Sequence, residues 1–397
     1  MQGGGQKEMD TKTILNAMKK NAMLIVLILV LIFFAIVTKG GILAPSSFTE
    51  LINQNAYVYI LGAGMLMCML TGGNIDLSCG SFVCLLGAFG GLFMIVLKMN
   101  TGLSILLLLL IGIVYGVLLG VLIAYVHIPP WIATLAGYLS FRGLGTSILS
   151  SNSTTGSLAP FPTDFQHIFY GRVFPTEQGT LNIPCFLLGI ISPALVIVLM
   201  LMNRKSRLKK GYIVDSMSVT LGKSIAGAVV LVAVMTLLAF DGGIPTTLLW
   251  VAAIILIFTF ITSKTTIGRH FYVVGGNIEA ARLSGVNTKM VMFLAYLNMA
   301  VLTTIATFTV VARSQSAYAD VGKNFEMDAI SACVVGGVSA SGGAGTVLGM
   351  VIGATLIGVI NLGMSLISLD ANYQRIIKGF VLLAAVVFDI VSKKRNK

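Results

Sequence analysis

Charge is scarce in this sequence. Only 10% of its 397 residues are Asp, Glu, Lys or Arg, where a soluble domain carries roughly 25% to keep a polar skin against water. Acids are the rarer sign, 14 against 26 basic residues, and there are only three histidines. These shortages exclude a water-soluble enzyme and a disordered acidic tail. They also leave little from which to build a metal centre, since His127, His167 and His270 stand in separate segments without ligand spacing. Cysteine is sparse as well. Cys68, Cys79, Cys84, Cys185 and Cys333 lie mostly in apolar runs and read as buried small hydrophobes, with no disulfide expected. No serine has a base in its neighbourhood, and the close pair Glu326 and Asp328 borders an apolar run, where a solvated turn is the expectation. No catalytic residue and no metal ligand is therefore assigned.

What the chain has instead is apolar length. Hydrophobic residues make up 56% and mean hydropathy is +0.95, values for a chain whose solvent is lipid. Runs long enough to span stand near 21–38, 56–71, 79–97, 103–126, 131–149, 184–202, 223–240, 246–262, 291–312, 344–360 and 374–391. A shorter one at 328–341, rich in Gly and Ser, has the look of a re-entrant segment. The expected fold is all-α and polytopic, with about 10–12 transmembrane helices.

The formal charge of +12 raises the question of nucleic acid, and the placement of the charges answers it. Eighteen of the 26 basic residues fall within Lys7–Lys20, Arg204–Lys223, Lys264–Lys289 and Lys393–Lys397, accompanied by only four acids. Basic residues crowd the cytoplasmic loops of bacterial inner-membrane proteins. No basic stripe is interleaved with aromatics, so nucleic acid is not an expected partner. This assigns residues 1–20 as a cytoplasmic segment, 21–391 as the transmembrane domain, and 392–397 as a basic cytoplasmic tail. Within the domain, 150–183 is expected outside, with 203–222 and 263–290 inside. Both termini are then cytoplasmic. No cleavable leader is evident, and the run 21–38 reads as an anchor.

Gly222-Lys223-Ser224 resembles the end of a phosphate-binding loop, but the first glycine of that motif is replaced by Met217 and no buried strand precedes it. Energy for any transport must come from another subunit or an ion gradient. Polar interruptions of the apolar runs point to a path. Thr71-Gly72-Gly73-Asn74-Ile75-Asp76-Leu77-Ser78 separates two runs, and broken helices survive in a bilayer only where protein or a water-filled cavity satisfies the freed backbone. Asp76 or Ser78 either caps the next helix, touches a solute or forms a gate. A second break, Gly336-Gly337-Val338-Ser339-Ala340-Ser341-Gly342-Gly343, has the same character. Paired breaks mark pathways built from two structural repeats, although close glycine packing of helices explains it equally. Arg142 lies within a run, where it must pair with a carboxylate or line water. Asn53, Gln54 and Asn55, with Tyr57 and Tyr59, suit sugar hydroxyls and ring faces or form an interfacial belt.

The most specific stretch is Gly268 to Asn287. Asn277 is a good N-cap, Glu279 opposes the helix dipole in the first turn, and Gly285 ends the helix. About two turns of helix should present Ile278, Ala281 and Leu283 to water, either to dock in a partner's groove or to pack on their own loop. This string, with Gly275, Gly276, Asn277, Glu279, Ala280, Ala281, Arg282, Ser284 and Gly285, resembles the ATPase-coupling loop in permease subunits of bacterial ABC importers for ribose, galactose and xylose, most closely their multiple-monosaccharide branch. Gly73 to Ser78, Pro130 to Leu135, Phe325 to Gly337 and Ile376 to Gly379 are similar to further motifs of that family. Residues 184–240 look like an added span pair, as in its longer members.

The resemblance implies a transport subunit and not an enzyme. It implies a monosaccharide as substrate, with a nucleoside or another small polar solute as the alternative. Further partners would be two ATP-binding subunits or a fused ATPase, a periplasmic or lipid-anchored sugar-binding protein, and a second permease copy, all in the lipid of the inner membrane. ATP and Mg would be held by the partner ATPase, with no cofactor in this chain. Asn53, Gln54, Asn55, Asn74, Asp76, Ser78, Arg142, Gly336 and Gly337 are the expected pathway or gate residues. An ion-coupled transporter is the competing class, and it would need Asp76 as its titrating group.

Overall fold

The computed structural model describes residues 22–177, 179–212, 214 and 216–394. The expected segment 1–20 and the last residues of the basic tail, 395–397, lie outside the described residues. Helices stand on each of the expected runs. They are α1 (Ala22–Val37), α2 (Pro45–Leu70), α3 (Cys79–Gly91, continued by a π turn Leu92–Val96), α4 (Thr101–Ala124) and α5 (Pro130–Asn152). After a short α6 (Thr163–Tyr170) come α7 (Ile183–Lys209), α8 (Met217–Phe240), α9 (Thr246–Lys264), α10 (Thr266–Gly276) and α11 (Ile278–Leu283). The chain finishes with α12 (Thr288–Ser314), α13 (Phe325–Val335), α14 (Val347–Leu366) and α15 (Ala371–Lys394).

Seven of these are long and apolar enough to cross a bilayer on composition alone: α3 with its π turn, α4, α7, α8, α9, α12 and α14. The chain is a multi-pass membrane protein. Helices α2, α5 and α15 are as long but carry more polar residues. The run expected at 328–341 ends as a helix at Val335. Eleven residues rise about 16 Å, roughly half of a hydrocarbon core.

Local chemistry explains where the helices start. Pro45 and Pro130 occupy first-turn positions whose N–H would have no partner in the helix. Asn100, Asn182, Ser216, Asn287 and Thr346 each accept a backbone N–H of the turn they open.

Helices α2 and α12 are the axis of the bundle. From Ala56 to Leu70 every residue of α2 is buried, so this helix is apolar all round because it is surrounded by protein. Along α4, Gly112, Gly116 and Gly120 let α12 approach. A Cβ on Gly116 would stand 3.0 Å from Leu297 Cα and from Ala300 Cβ, and one on Gly120 would stand 2.8 Å from the Phe293 ring. Small residues of this kind maximise van der Waals contact where lipid provides no hydrophobic drive between helices. Helices α7 and α8 pack chiefly on each other, and leave Leu187, Ile191, Leu195, Val229 and Val230 exposed. These are the pair that the sequence marks as an addition.

Two antiparallel ladders tie the loops at one end of the bundle. β1 (Ser157–Leu158) pairs with β4 (Ala317–Tyr318), Leu158 opposite Ala317. β2 (Arg172–Val173) pairs with β3 (Ile244–Pro245), and Arg172 bonds Asp241 at 2.9 Å. The 150–183 stretch thus carries two of these strands and a short helix. Its α6 buries Phe165 and Phe169 against Phe308, and Trp250 stacks on Phe169.

Gly116→Leu should lose about 1–3 kcal/mol through overpacking, seen as a lower thermal midpoint in detergent. Gly143→Leu, where a side chain meets nothing within 4 Å, should leave that midpoint unchanged.

Candidate functional site

Three segments far apart in sequence meet at the end of the bundle opposite the ladders. The first break follows Leu70, where Gly72 (φ 119°) and Gly73 (φ 74°) take left-handed conformations that end α2. The second break follows α13, and its Gly343 donates its N–H to Leu70 O at 3.1 Å. The third segment is α10. A Cβ on its Gly275 would collide with Leu70 O and crowd Gly343 N, and a Cβ on Gly73 would collide with Ala340 O. Tyr272, one turn before Gly275, donates its hydroxyl to Gly345 O at 3.0 Å. Glycine at 73 is thus required by turning and by backbone-to-backbone contact, and glycine at 275 by backbone-to-backbone contact alone.

Within the first break, Asp76 accepts the Ser78 N–H at 2.8 Å and the Ser78 hydroxyl at 2.5 Å. Asp76 therefore caps the entry to α3, while the Ser78 side chain makes no cap bond of its own and reaches Tyr115 OH at 2.7 Å. Asn74 donates to Thr71 O and Thr71 Oγ1, both at 3.2 Å, and holds the break's own turn. In the second break, Gly336 is packed so closely on Gly349 O that any side chain would clash, whereas Gly337 (φ 82°) turns in the open.

The expected loop 263–290 contains two helices. Thr265 caps α10 by accepting the Gly268 N–H at 3.0 Å. Asn277, in extended conformation (φ −160°), ends α10 and opens α11 by accepting the Ala280 N–H at 3.0 Å. Helix α11 has six residues, shorter than the two turns expected. Gly285 (φ 81°) ends it, and the Ser284 hydroxyl donates to Ala280 O at 2.8 Å. Ala281 is buried and not presented to water, because it is the one α11 residue that faces the bundle. Ile278 is half exposed and Leu283 is 85% exposed. Glu279 and Arg282 form an exposed pair at 2.7 Å, of small worth to stability.

At the ladder end lies a cavity of about 220 Å³ between α2, α12, α13, α14 and α15. Asn53, Gln54, Tyr57, Arg313, Asn361 and Lys378 are in its wall. Tyr57 stacks on Phe325 with ring centroids 3.6 Å apart. Asn55 faces away from this space, donating to Leu51 O and accepting from Asn361 Nδ2 at 3.3 Å. Tyr57 and the cavity lie about 20 Å from Leu70 along α2, at a rise of about 1.5 Å per residue.

Two expectations about charge are corrected here. Glu326 and Asp328 are 2% and 4% exposed and form no solvated turn, because α13 enters the bundle beside α2. Asp328 Oδ2 accepts from Tyr57 OH at 2.6 Å and from Lys378 Nζ at 3.0 Å. Among the described residues, Arg142 pairs with no carboxylate, one of its two expected environments. Its Nη1 donates to Ala319 O at 2.9 Å and Val321 O at 2.8 Å, which fixes the turn before α13. That turn lies beside the ladder of β1 and β4, and the guanidinium satisfies its carbonyls. Arg313, Asn361 and Lys378 were missed in the sequence as wall residues. Arg313 ends a long run, Asn361 is a lone amide in another, and only folding unites them.

A polytopic helix bundle in which two interrupted segments meet a short helix at one end fits a membrane transport protein. The chain belongs to the family described as branched-chain amino acid transport system / permease component, which matches residues 47–386. It is similar to the xylose transport system permease protein XylH of Haemophilus influenzae, 34% identical over 374 residues, 94% of this chain and 96% of that protein. XylH of Escherichia coli K12 is 32% identical, covering 94% and 92%. The ribose import permease protein RbsC of Escherichia coli K12 is 29% identical, covering 91% and 92%. No solved structure matches the chain.

Asp76→Asn keeps an acceptor oxygen and should fold as the parent, whereas Asp76→Ala should cost about 1 kcal/mol by loss of the cap; thermal melts of both variants decide this. Gly275→Ala should break the three-way contact and sharply raise proteolytic cleavage between residues 263 and 290, while Gly276→Ala, which meets nothing within 4 Å, should not.

Proposed function

We propose that this chain is the membrane-spanning subunit of a bacterial inner-membrane importer for monosaccharides, driven by ATP bound and hydrolysed with Mg in separate ATPase subunits. The observation that carries the reading is the contact of α10 with both helix breaks at once. A force applied to α11 reaches Leu70 through Gly275 and Gly345 through Tyr272. Helices α2 and α14 begin or end at those points and extend to the cavity at the other end. A partner that binds α11 differently in its open and closed forms can therefore bias two arrangements of the pathway.

In this reading the α10–α11 end is cytoplasmic and the ladders face outside, so both termini are cytoplasmic. Ile278 and Leu283 are the apolar knobs, and Glu279, Arg282, Ser284 and Gly285 shape the docking helix. Asn74, Asp76 and Ser78 hold the first break in form, Gly336 and Gly337 do the same for the second, and Arg142 fixes the outer turn. A sugar-binding receptor would dock on the ladder end, and a second permease copy would complete the pathway. The names of the xylose and ribose relatives support a monosaccharide over an amino acid.

The test is uptake into proteoliposomes containing the permease, its ATPase and its receptor. Uptake of labelled xylose or ribose should require internal ATP and the receptor, and should need no ion gradient. Gradient-driven uptake without ATP, or ATP-driven uptake of leucine alone, would overturn the reading. Glu279→Lys should reduce ATP-driven uptake at least about tenfold while leaving the thermal midpoint unchanged, because the Glu279–Arg282 pair is exposed.

A further inference from the structure

Helices α7 and α8 join the rest of the bundle at the ladder end, where Cys185, Leu238 and Ala239 pack with Ile52 and Ile244. The buried residues of α7, Cys185, Gly189 and Pro193, all lie in its first half. Toward the opposite end the pair forms a groove of about 390 Å³, lined by Ile197 of α7 and by Ile225, Ala228, Val229, Val232 and Ala233 of α8. Every lining side chain is apolar, so water gains no hydrogen bond there, and an acyl chain is the occupant that a bilayer supplies.

Beyond the groove, α7 runs out into a cationic end. Arg204, Lys205, Arg207, Lys209 and Lys210 place five cations within seven residues, and no Asp or Glu stands between residues 203 and 212. Lys205, Arg207, Lys209 and Lys210 are exposed. The Arg207 guanidinium lies over the Tyr212 ring, 5.9 Å from its centroid, a contact that suits the membrane interface, where tyrosine prefers to sit. From Ile197 to Lys205 is a rise of about 12 Å. The headgroup region of one leaflet is about 5–8 Å deep, so a lipid phosphate at the cationic end carries its acyl chains down toward the groove. The bias of Lys and Arg to one side of the membrane explains the sign of this loop. It does not explain an apolar groove that opens beneath it.

We infer that α7 and α8 form a binding site for one anionic phospholipid, with its phosphate among Lys205, Arg207, Lys209 and Lys210 and one acyl chain in the groove. Both ends of the site are needed to define the ligand. A zwitterionic lipid fills the groove but brings no net charge to the cations, and an acidic protein segment meets the cations but leaves the groove open. Basic clusters at the end of a membrane helix favour acidic headgroups for this reason. The bound lipid would brace the half of the pair that its own chain leaves without buried packing in α7. The inference depends on the membrane setting alone, and not on which solute is carried or what drives it.

The test reads bound lipid directly. Full-length permease is released from nanodiscs made of equal amounts of palmitoyl-oleoyl phosphatidylglycerol and phosphatidylethanolamine and weighed by native mass spectrometry. One phosphatidylglycerol per chain should be retained, about tenfold over phosphatidylethanolamine. Lys205→Gln/Arg207→Gln/Lys209→Gln/Lys210→Gln, all at exposed positions, should keep the thermal midpoint and retain the two lipids about equally. Val229→Trp, at a wall position that is 62% exposed, should fold as the parent, fill the groove and lower retention of both lipids at least about tenfold. Equal retention of the two lipids by the wild type would overturn the site. Undiminished phosphatidylglycerol on Val229→Trp would overturn it too, since that marks a diffuse attraction to the loop alone. Chains released as pairs without lipid, with the pairing lost in Val229→Trp, would overturn it in favour of a contact with a second copy.

Discussion

The structure depends on one close approach, that of α10 to two interrupted helices. Leu70 O receives the N–H of Gly343, and Gly275 lies against both. Each break leaves carbonyls and N–H groups that a bilayer cannot hydrate. Here most of these groups bond within their own segment, and one bond, Gly343 N–H to Leu70 O, joins the two breaks at the end of the bundle. The same contact joins α10 to the two segments that carry the breaks, and in the proposed function this contact is the mechanical link. Glycine is needed because the partners are backbone atoms, which cannot rotate aside as side chains do.

Polar groups inside the bundle follow a related rule. Lys378 and Tyr57 both engage Asp328, Arg313 engages Glu50, and Arg142 donates to two carbonyls of the turn before α13. These ions are matched where an unpaired charge would be costly, whereas the buried Glu326 Oε2 has no hydrogen-bond partner among the described residues.

Much of the architecture was legible because lipid imposes a strong pattern. Apolar runs located the helices, glycine clusters located the breaks, and Asn277 announced the cap that the structure shows. The site was less legible. Asn53 and Gln54 were visible as a polar cluster, but Asn361, Arg313 and Lys378 were not, since each stands on a different run far from the others in sequence. Arg142 could be recognised as anomalous, yet nothing in its neighbourhood indicated that its partners would be carbonyls of residues 319 and 321. Glu326 and Asp328 looked like turn residues because their burial comes from α2, some 270 positions away.

By itself the sequence determined that the chain lives in a membrane, roughly where it crosses, and which stretches interrupt the crossings. These follow from local composition, for which the cost of exposing backbone or charge to hydrocarbon is paid residue by residue. Tertiary structure decided which interruptions touch, that α10 rests on both, and which isolated polar side chains share a cavity. Such outcomes depend on helix packing geometry over hundreds of residues, and no local pattern encodes them.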